Sequence, residues 1–114
     1  MSLSFKKTER VRKKKDFLNI YKYGTKWHTK NLIIYSLRED ISASKAGFVI
    51  SKRVSKKAVN RNLAKRRLRE IYRHIKPALP CNISVVFIGK PGIENVPFWE
   101  LYEEVKSVVA KLCN

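Results

Sequence analysis

The chain has 114 residues, 44% of them apolar and 11% aromatic, enough to close one hydrophobic core and too much for a disordered polymer. Twenty-six Lys and Arg against nine Asp and Glu leave a formal charge of +17, and self-repulsion of that size points to a polyanionic partner, either nucleic acid or an anionic membrane surface. The apolar run Val85 to Ile88 is far too short for the ~20 residues that span a bilayer, and no apolar stretch of signal-peptide length follows the N-terminal lysines, which argues against secretion.

Residues 14–23 place Phe17, Ile20 and Tyr21 on one helical face, with Asp16 near the positive end and Gly24 as a stop. Lys26 to Thr29 reads as a short strand, and Asn31 to Arg38, rich in β-branched and aromatic residues, as a longer one. Glu39 to Lys45 is a polar turn, and Ala46 to Arg53 returns as a strand, so that the two long strands are expected to pair as an antiparallel hairpin.

The clearest helix runs from Ala58 to Ile75. Ala64, Leu68, Ile71, Tyr72 and Ile75 fall within ~100° of arc, and Arg61, Lys65, Arg66, Arg69, Arg73 and Lys76 occupy an adjoining arc of ~140° that also contains Asn62. Arg67 alone among the basic side chains points elsewhere. Pro77 and Pro80 end the helix, because neither can continue its hydrogen-bond ladder. Ile83 to Ile88, apolar on both faces except at Ser84, is the pattern of a central strand, and Gly89 to Pro97 forms a loop. Phe98 to Leu112 is a last helix carrying Leu101, Val105, Val108, Val109 and Leu112 on one side, with Glu100, Glu103 and Glu104 in its first turns. The expected class is α+β: a small mixed sheet of about four strands packed with three helices, in helix–strands–helix–strand–helix order, as a single domain over 1–114.

Charge divides this domain. Residues 1–76 carry 23 basic and 5 acidic side chains, whereas residues 77–114 carry 3 and 4. Such asymmetry predicts one face for binding and another for scaffolding. Catalytic groups are sparse by comparison: His28 and His74 lie far apart in sequence, and the three glutamates of the last helix fit dipole stabilisation better than a metal site. Cys81 and Cys113 form no metal-ligand spacing and are expected as two unpaired thiols. The cationic arc, in contrast, suits phosphate neutralisation by counterion release, with guanidinium forks matching phosphate oxygens. Phe17, Tyr21 and Tyr35 offer a shallow platform for unpaired bases if one sheet face stays open; packing within the core is the competing reading.

The segment Ser51-Lys52-Arg53-Val54, followed by Ala58 to Glu70 with Arg61-Asn62, Lys65-Arg66 and Arg69, resembles the signature of the bacterial ribonuclease P protein family. Lys14 to Gly24, residues 31–37 and residues 83–91 resemble that family's first helix, aromatic strand and last strand in the same order. Leu63 stands where the family usually has a third basic residue, and Ala64 where it commonly has a larger aliphatic one.

The resemblance implies a non-catalytic subunit of a cytoplasmic ribonucleoprotein that cleaves precursor tRNA at the 5′ end, with Mg²⁺ held mainly by the catalytic RNA. It implies that Lys52, Arg53, Arg61, Asn62, Lys65, Arg66, Arg69 and Arg73 bind RNA, and that Phe17, Tyr21 and Tyr35 line a cleft for the single-stranded 5′ leader. It further implies two parallel strands joined through the motif helix by a left-handed crossover, against the rule obeyed in ~98% of such connections. The rival expectations are a ribosomal or general RNA-binding protein, a stand-alone nuclease using His28 or His74, and a membrane-surface protein using the basic helix.

Overall fold

The computed structural model describes residues 10–38, 44–79 and 81–112. Most of the expected turn at 39–45, as well as Pro80 and Cys113, therefore lies outside the described residues. In chain order the elements are α1 (Lys14–Tyr23), β1 (Thr25–His28), β2 (Leu32–Arg38), β3 (Lys45–Val49), α2 (Ala58–Ile75), β4 (Ile83–Gly89) and α3 (Phe98–Val109). Short 3-10 turns at Lys76–Ala78 and Ile93–Asn95 precede β4 and α3. The expected mixed sheet with three helices is present among the described residues.

One expected pairing is wrong. The sheet order is β1-β2-β4-β3, so β2 and β3 are not a hairpin. β4 lies between them, antiparallel to β2 and parallel to β3. Its composition gives the reason: Ile83 to Phe87 are all buried, and a strand apolar on both faces gains most from the centre of a sheet covered on two sides. β3 is also shorter than expected, ending at Val49, and Ser51 to Val54 forms a turn closed by the Val54 N–H donating to the Ser51 carbonyl at 3.0 Å.

The two sheet faces do different work. On one, Leu32, Ile34, Ala46, Ile83, Val85 and Phe87 form the main core with Ala64, Leu68, Ile71, Tyr72 and Ile75 of α2 and Leu101, Val105, Val108 and Val109 of α3. The buried set of α2 is the apolar stripe expected from its periodicity. On the other face a smaller cluster of Val11, Ile20 and Val86 is ringed by half-buried Phe17, Tyr21, Tyr35, Leu37, Val49 and Ile88. Among the described residues, α1 and the segment at Arg10–Val11 cover this side; the Val11 N–H donates to the Ala46 carbonyl at 2.9 Å, extending the sheet beyond β3. Gly24 ends α1 at a close approach, since a Cβ there would lie 2.9 Å from the Ser36 carbonyl oxygen.

Two local features correct the sequence reading. Cys81 is disulfide-bonded and not an unpaired thiol; separation along the chain carries no information about distance in the fold. Glu104 does more than oppose the helix dipole: its carboxylate accepts from the Thr29 hydroxyl, from the Asn31 backbone N–H at 2.5 Å and from Asn31 Nδ2 at 2.9 Å. α3 is thereby fastened to the turn between β1 and β2. Lys90 reinforces the same corner, its Nζ donating to the Thr29 carbonyl at 2.6 Å.

Candidate nucleic-acid interface

Register builds the floor of the open face. Tyr35 and Gly47 are both cross-strand partners of Val86, and Lys26 is the partner of Tyr35, so Lys26, Tyr35, Val86 and Gly47 form one row across the four strands. Because Gly47 has no side chain, Phe17 of α1 descends onto its backbone: an added Cβ would meet Phe17 Cε1 at 2.8 Å and Val11 Cβ at 3.2 Å. A glycine inside a strand commonly marks such an approach.

The three expected aromatics converge on this floor. The Phe17 and Tyr21 rings are 6.3 Å apart, and Tyr21 meets Tyr35 edge-on at 4.9 Å. Lys26 Nζ lies 5.8 Å from the Tyr35 ring centre, close enough for a cation–π contribution. Burial pushes the Tyr21 phenol above its ordinary value of 10.0, with Tyr35 adding to the shift, so Tyr21 keeps its proton and its donor capacity at neutral pH.

Beside Phe17 the face opens into a groove of about 230 Å³ lined by Arg10, Val11, Arg12, Phe17, Ala46, Gly47, Phe48, Lys65 and Arg69. Four of these residues are cationic and none is acidic. The groove thus brings Lys65 and Arg69 of the cationic stripe against the aromatic floor, two sets that the sequence presented separately. Its chemistry suits phosphates flanked by bases or sugars. It does not suit Mg²⁺, which needs oxygen ligands such as carboxylates. Arg10 and Arg12 are additions to the sequence-derived site; the density of charge from Arg10 to Lys15 was the available signal.

The polar side chains of α2 divide by exposure and partner. Asn62, Arg66 and Arg69 are exposed, with Lys65 half-buried. Arg61 is partly committed, as its Nη1 donates to the carbonyls of Ser55 and Lys56, both at 2.9 Å, and so ties the helix to the turn before it. Arg73 is paired with Glu70 at 2.7 Å, and His74 Nε2 lies 3.3 Å from the other oxygen of the same carboxylate. Half-exposed pairs of this kind contribute little to stability, but Glu70 neutralises part of the charge that Arg73 would bring to RNA. Arg67 points away from the stripe, as its periodicity predicts, and its Nη1 donates to the carbonyls of Val96 at 3.1 Å and Glu94 at 3.4 Å.

Lys52 and Arg53 are exposed on the turn between β3 and α2. They do not line the groove. Leu63 is 42% exposed and lies outside the cationic arc. His28 is exposed at the end of β1, far in the fold's connectivity from His74 on α2. No helix among the described residues is long and apolar enough to cross a membrane.

Comparison with known proteins agrees with this geometry. A family model described as Ribonuclease P matches residues 5–113. The chain is 30% identical to the ribonuclease P protein component of Clostridioides difficile, over 96% of each chain, and 31% identical to that of Thermotoga petrophila, over 98% of each. Among solved structures, the ribonuclease P protein from Thermotoga maritima superposes with a TM-score of 0.81 at 28% identity, covering 90% of this chain and 96% of that one. The Staphylococcus aureus protein, at 24% identity, shares the fold with a TM-score of 0.80 over 93% of this chain and 98% of that one.

Proposed function

Since the chain belongs to the ribonuclease P protein family and is a protein subunit of that tRNA-processing ribonucleoprotein, we propose a division of labour between its two binding elements. The α2 cations outside the groove, with Lys52 and Arg53 before the helix, hold the RNA subunit. The groove and its aromatic floor receive the single-stranded 5′ leader of precursor tRNA. What supports this reading above all is that Phe17, seated on Gly47, and the cations Lys65 and Arg69 line the same groove.

Each part follows from its chemistry. A leader nucleotide carries a flat base and a charged phosphate. Phe17, Tyr21 and Tyr35 supply π-faces for the first, at ~1–3 kcal/mol per stacked base. Arg10, Arg12, Lys65 and Arg69 supply neutralisation for the second, independent of sequence. Bringing a leader and a large RNA together is opposed by phosphate repulsion, and a body of charge +17 set between them lowers that cost.

The bond-breaking step in this reading belongs to the RNA subunit, with Mg²⁺ held by RNA phosphates. The protein binds, orients and neutralises, and it acts in the cytoplasm where tRNA precursors are made. The deciding experiment compares affinity of the reconstituted complex for precursor tRNA with and without its leader. Phe17→Ala should weaken binding of the leader-bearing substrate and leave the leaderless one unchanged. Equal losses on both substrates would return the ring to a packing role.

A further inference from the structure

Not all of the outward side of α2 is charged. Val59 and Leu63, one turn apart, are large apolar side chains that stand 73% and 42% exposed. At ~100° per residue they lie ~20° and ~60° from Arg66, on the flank of the cationic arc away from the groove residues Lys65 and Arg69. Asn62 and Arg66, both exposed, adjoin the pair.

The mounting is braced on two sides. Asn60 Nδ2 and the Lys57 N–H both donate to Ser55 Oγ at 3.3 Å, and Arg61 donates to the carbonyls of Ser55 and Lys56. Beyond Leu63, Arg67 is drawn away to the carbonyls of Val96 and Glu94. The two apolar side chains thus project from a fixed stretch of helix, which leaves little ordering cost for a partner to meet.

Continuity with the cationic arc identifies that partner as the RNA subunit. We propose that Val59 and Leu63 pack against a non-ionic surface of that RNA, the C–H face of a ribose or the face of an unstacked base, and that this contact sets which RNA the helix selects. The inference rests on the assignment of α2 to the RNA subunit and adds a second kind of contact to it. Phosphate neutralisation is independent of sequence, so a body of charge +17 attracts any polyanion. Val59 and Leu63 gain nothing from a phosphate. They gain only where the RNA fold turns a sugar or an unpaired base toward them, and burying them releases no counterions.

Affinities of the full chain for its cognate RNA subunit and for a scrambled transcript of equal length, each over a salt series, test the proposal. Leu63→Ala should weaken binding of the cognate RNA about tenfold at every salt concentration, with an unchanged salt slope, and leave the scrambled RNA unaffected. Leu63→Met should keep the cognate affinity, and Val59→Ala should show a smaller loss in the same direction. Arg66→Ala, in contrast, should weaken both RNAs and lower both slopes. All three positions are exposed, so the variants keep the fold, which circular dichroism verifies. Unchanged cognate affinity in Leu63→Ala, or an equal loss on both RNAs, would overturn the proposal. An Arg66→Ala variant that still responds as expected would confine that failure to the apolar pair, whereas an indifferent one would remove the assignment of α2 as well.

Discussion

Phe17 rests on the bare backbone of Gly47, so closely that a single added methyl group would lie 2.8 Å from the ring. The Gly47→Ala substitution therefore lifts Phe17 from its seat and narrows the groove shared with Lys65 and Arg69. Overpacking of this kind costs ~1–3 kcal/mol. The expected outcome is a lower melting temperature and a selective loss of affinity for leader-bearing precursor tRNA. Unchanged leader discrimination in a folded Gly47→Ala variant would separate the ring from the leader.

The α2 cations should not respond alike. Arg66→Ala, outside the groove, should lower the slope of log affinity against log salt for the RNA subunit by ~0.7–0.9, and Arg69→Ala, in the groove, should lower by the same amount the slope for leader-bearing precursor tRNA. Arg61→Ala should lower stability as well, because it removes two donations to the carbonyls of Ser55 and Lys56. Arg73→Ala should change the slope least, since Glu70 already neutralises part of that charge. A salt titration of RNA affinity for the four variants, paired with thermal melts, checks the order.

Arg67→Ala provides the converse case. Its guanidinium donates to Val96 and Glu94 carbonyls and takes no part in the stripe. Loss of these charged hydrogen bonds should cost ~1.5–3 kcal/mol of stability while leaving the salt slope of RNA binding unchanged. A reduced slope would place Arg67 on the RNA-binding face.

Tyr21 gives the fold an alkaline signature. Its phenol is held above the ordinary value of 10.0, first by burial and then by Tyr35. Between pH 10.0 and the raised folded value the native state binds more protons than the unfolded one, so stability falls as pH rises through that window and is constant below it. Tyr21→Phe should remove this contribution to the alkaline loss. Spectrophotometric tyrosine titration should show one phenol ionising late in the wild type and absent from the variant.

Much of this was legible before any coordinates. The bounds of α1 and α2 and the buried set of α2 follow from periodicity, because local helix geometry alone determines which residues share a face. Phe17, Tyr21 and Tyr35 were readable as a platform only on condition that one sheet face stay open, and register explains how they meet: Tyr35 and Gly47 flank Val86 in one row. Strand order was not legible in the residues themselves, although the resemblance implied the parallel pair β3 and β4 joined through α2. Nothing in β2 or β3 says that β4, from the far side of α2, comes between them, since that pairing is non-local. Partners were equally hidden. Arg61 and Arg73 read alike as members of the stripe, and Arg67 only as pointing away from it, yet they bond to a preceding turn, to Glu70 and to the entry of α3. Glu104 likewise disclosed its proximity to the helix start but not its attachment to Thr29 and Asn31.

Reconstitution with the cognate RNA subunit tests most directly whether this polypeptide serves as a cationic clamp for an RNA catalyst. Cleavage of leader-bearing precursor tRNA at limiting Mg²⁺ should be slow with RNA alone, rapid with the complex and undetectable with the protein alone. Cleavage by the purified protein without RNA, or a complex no faster than its RNA, would contradict that role.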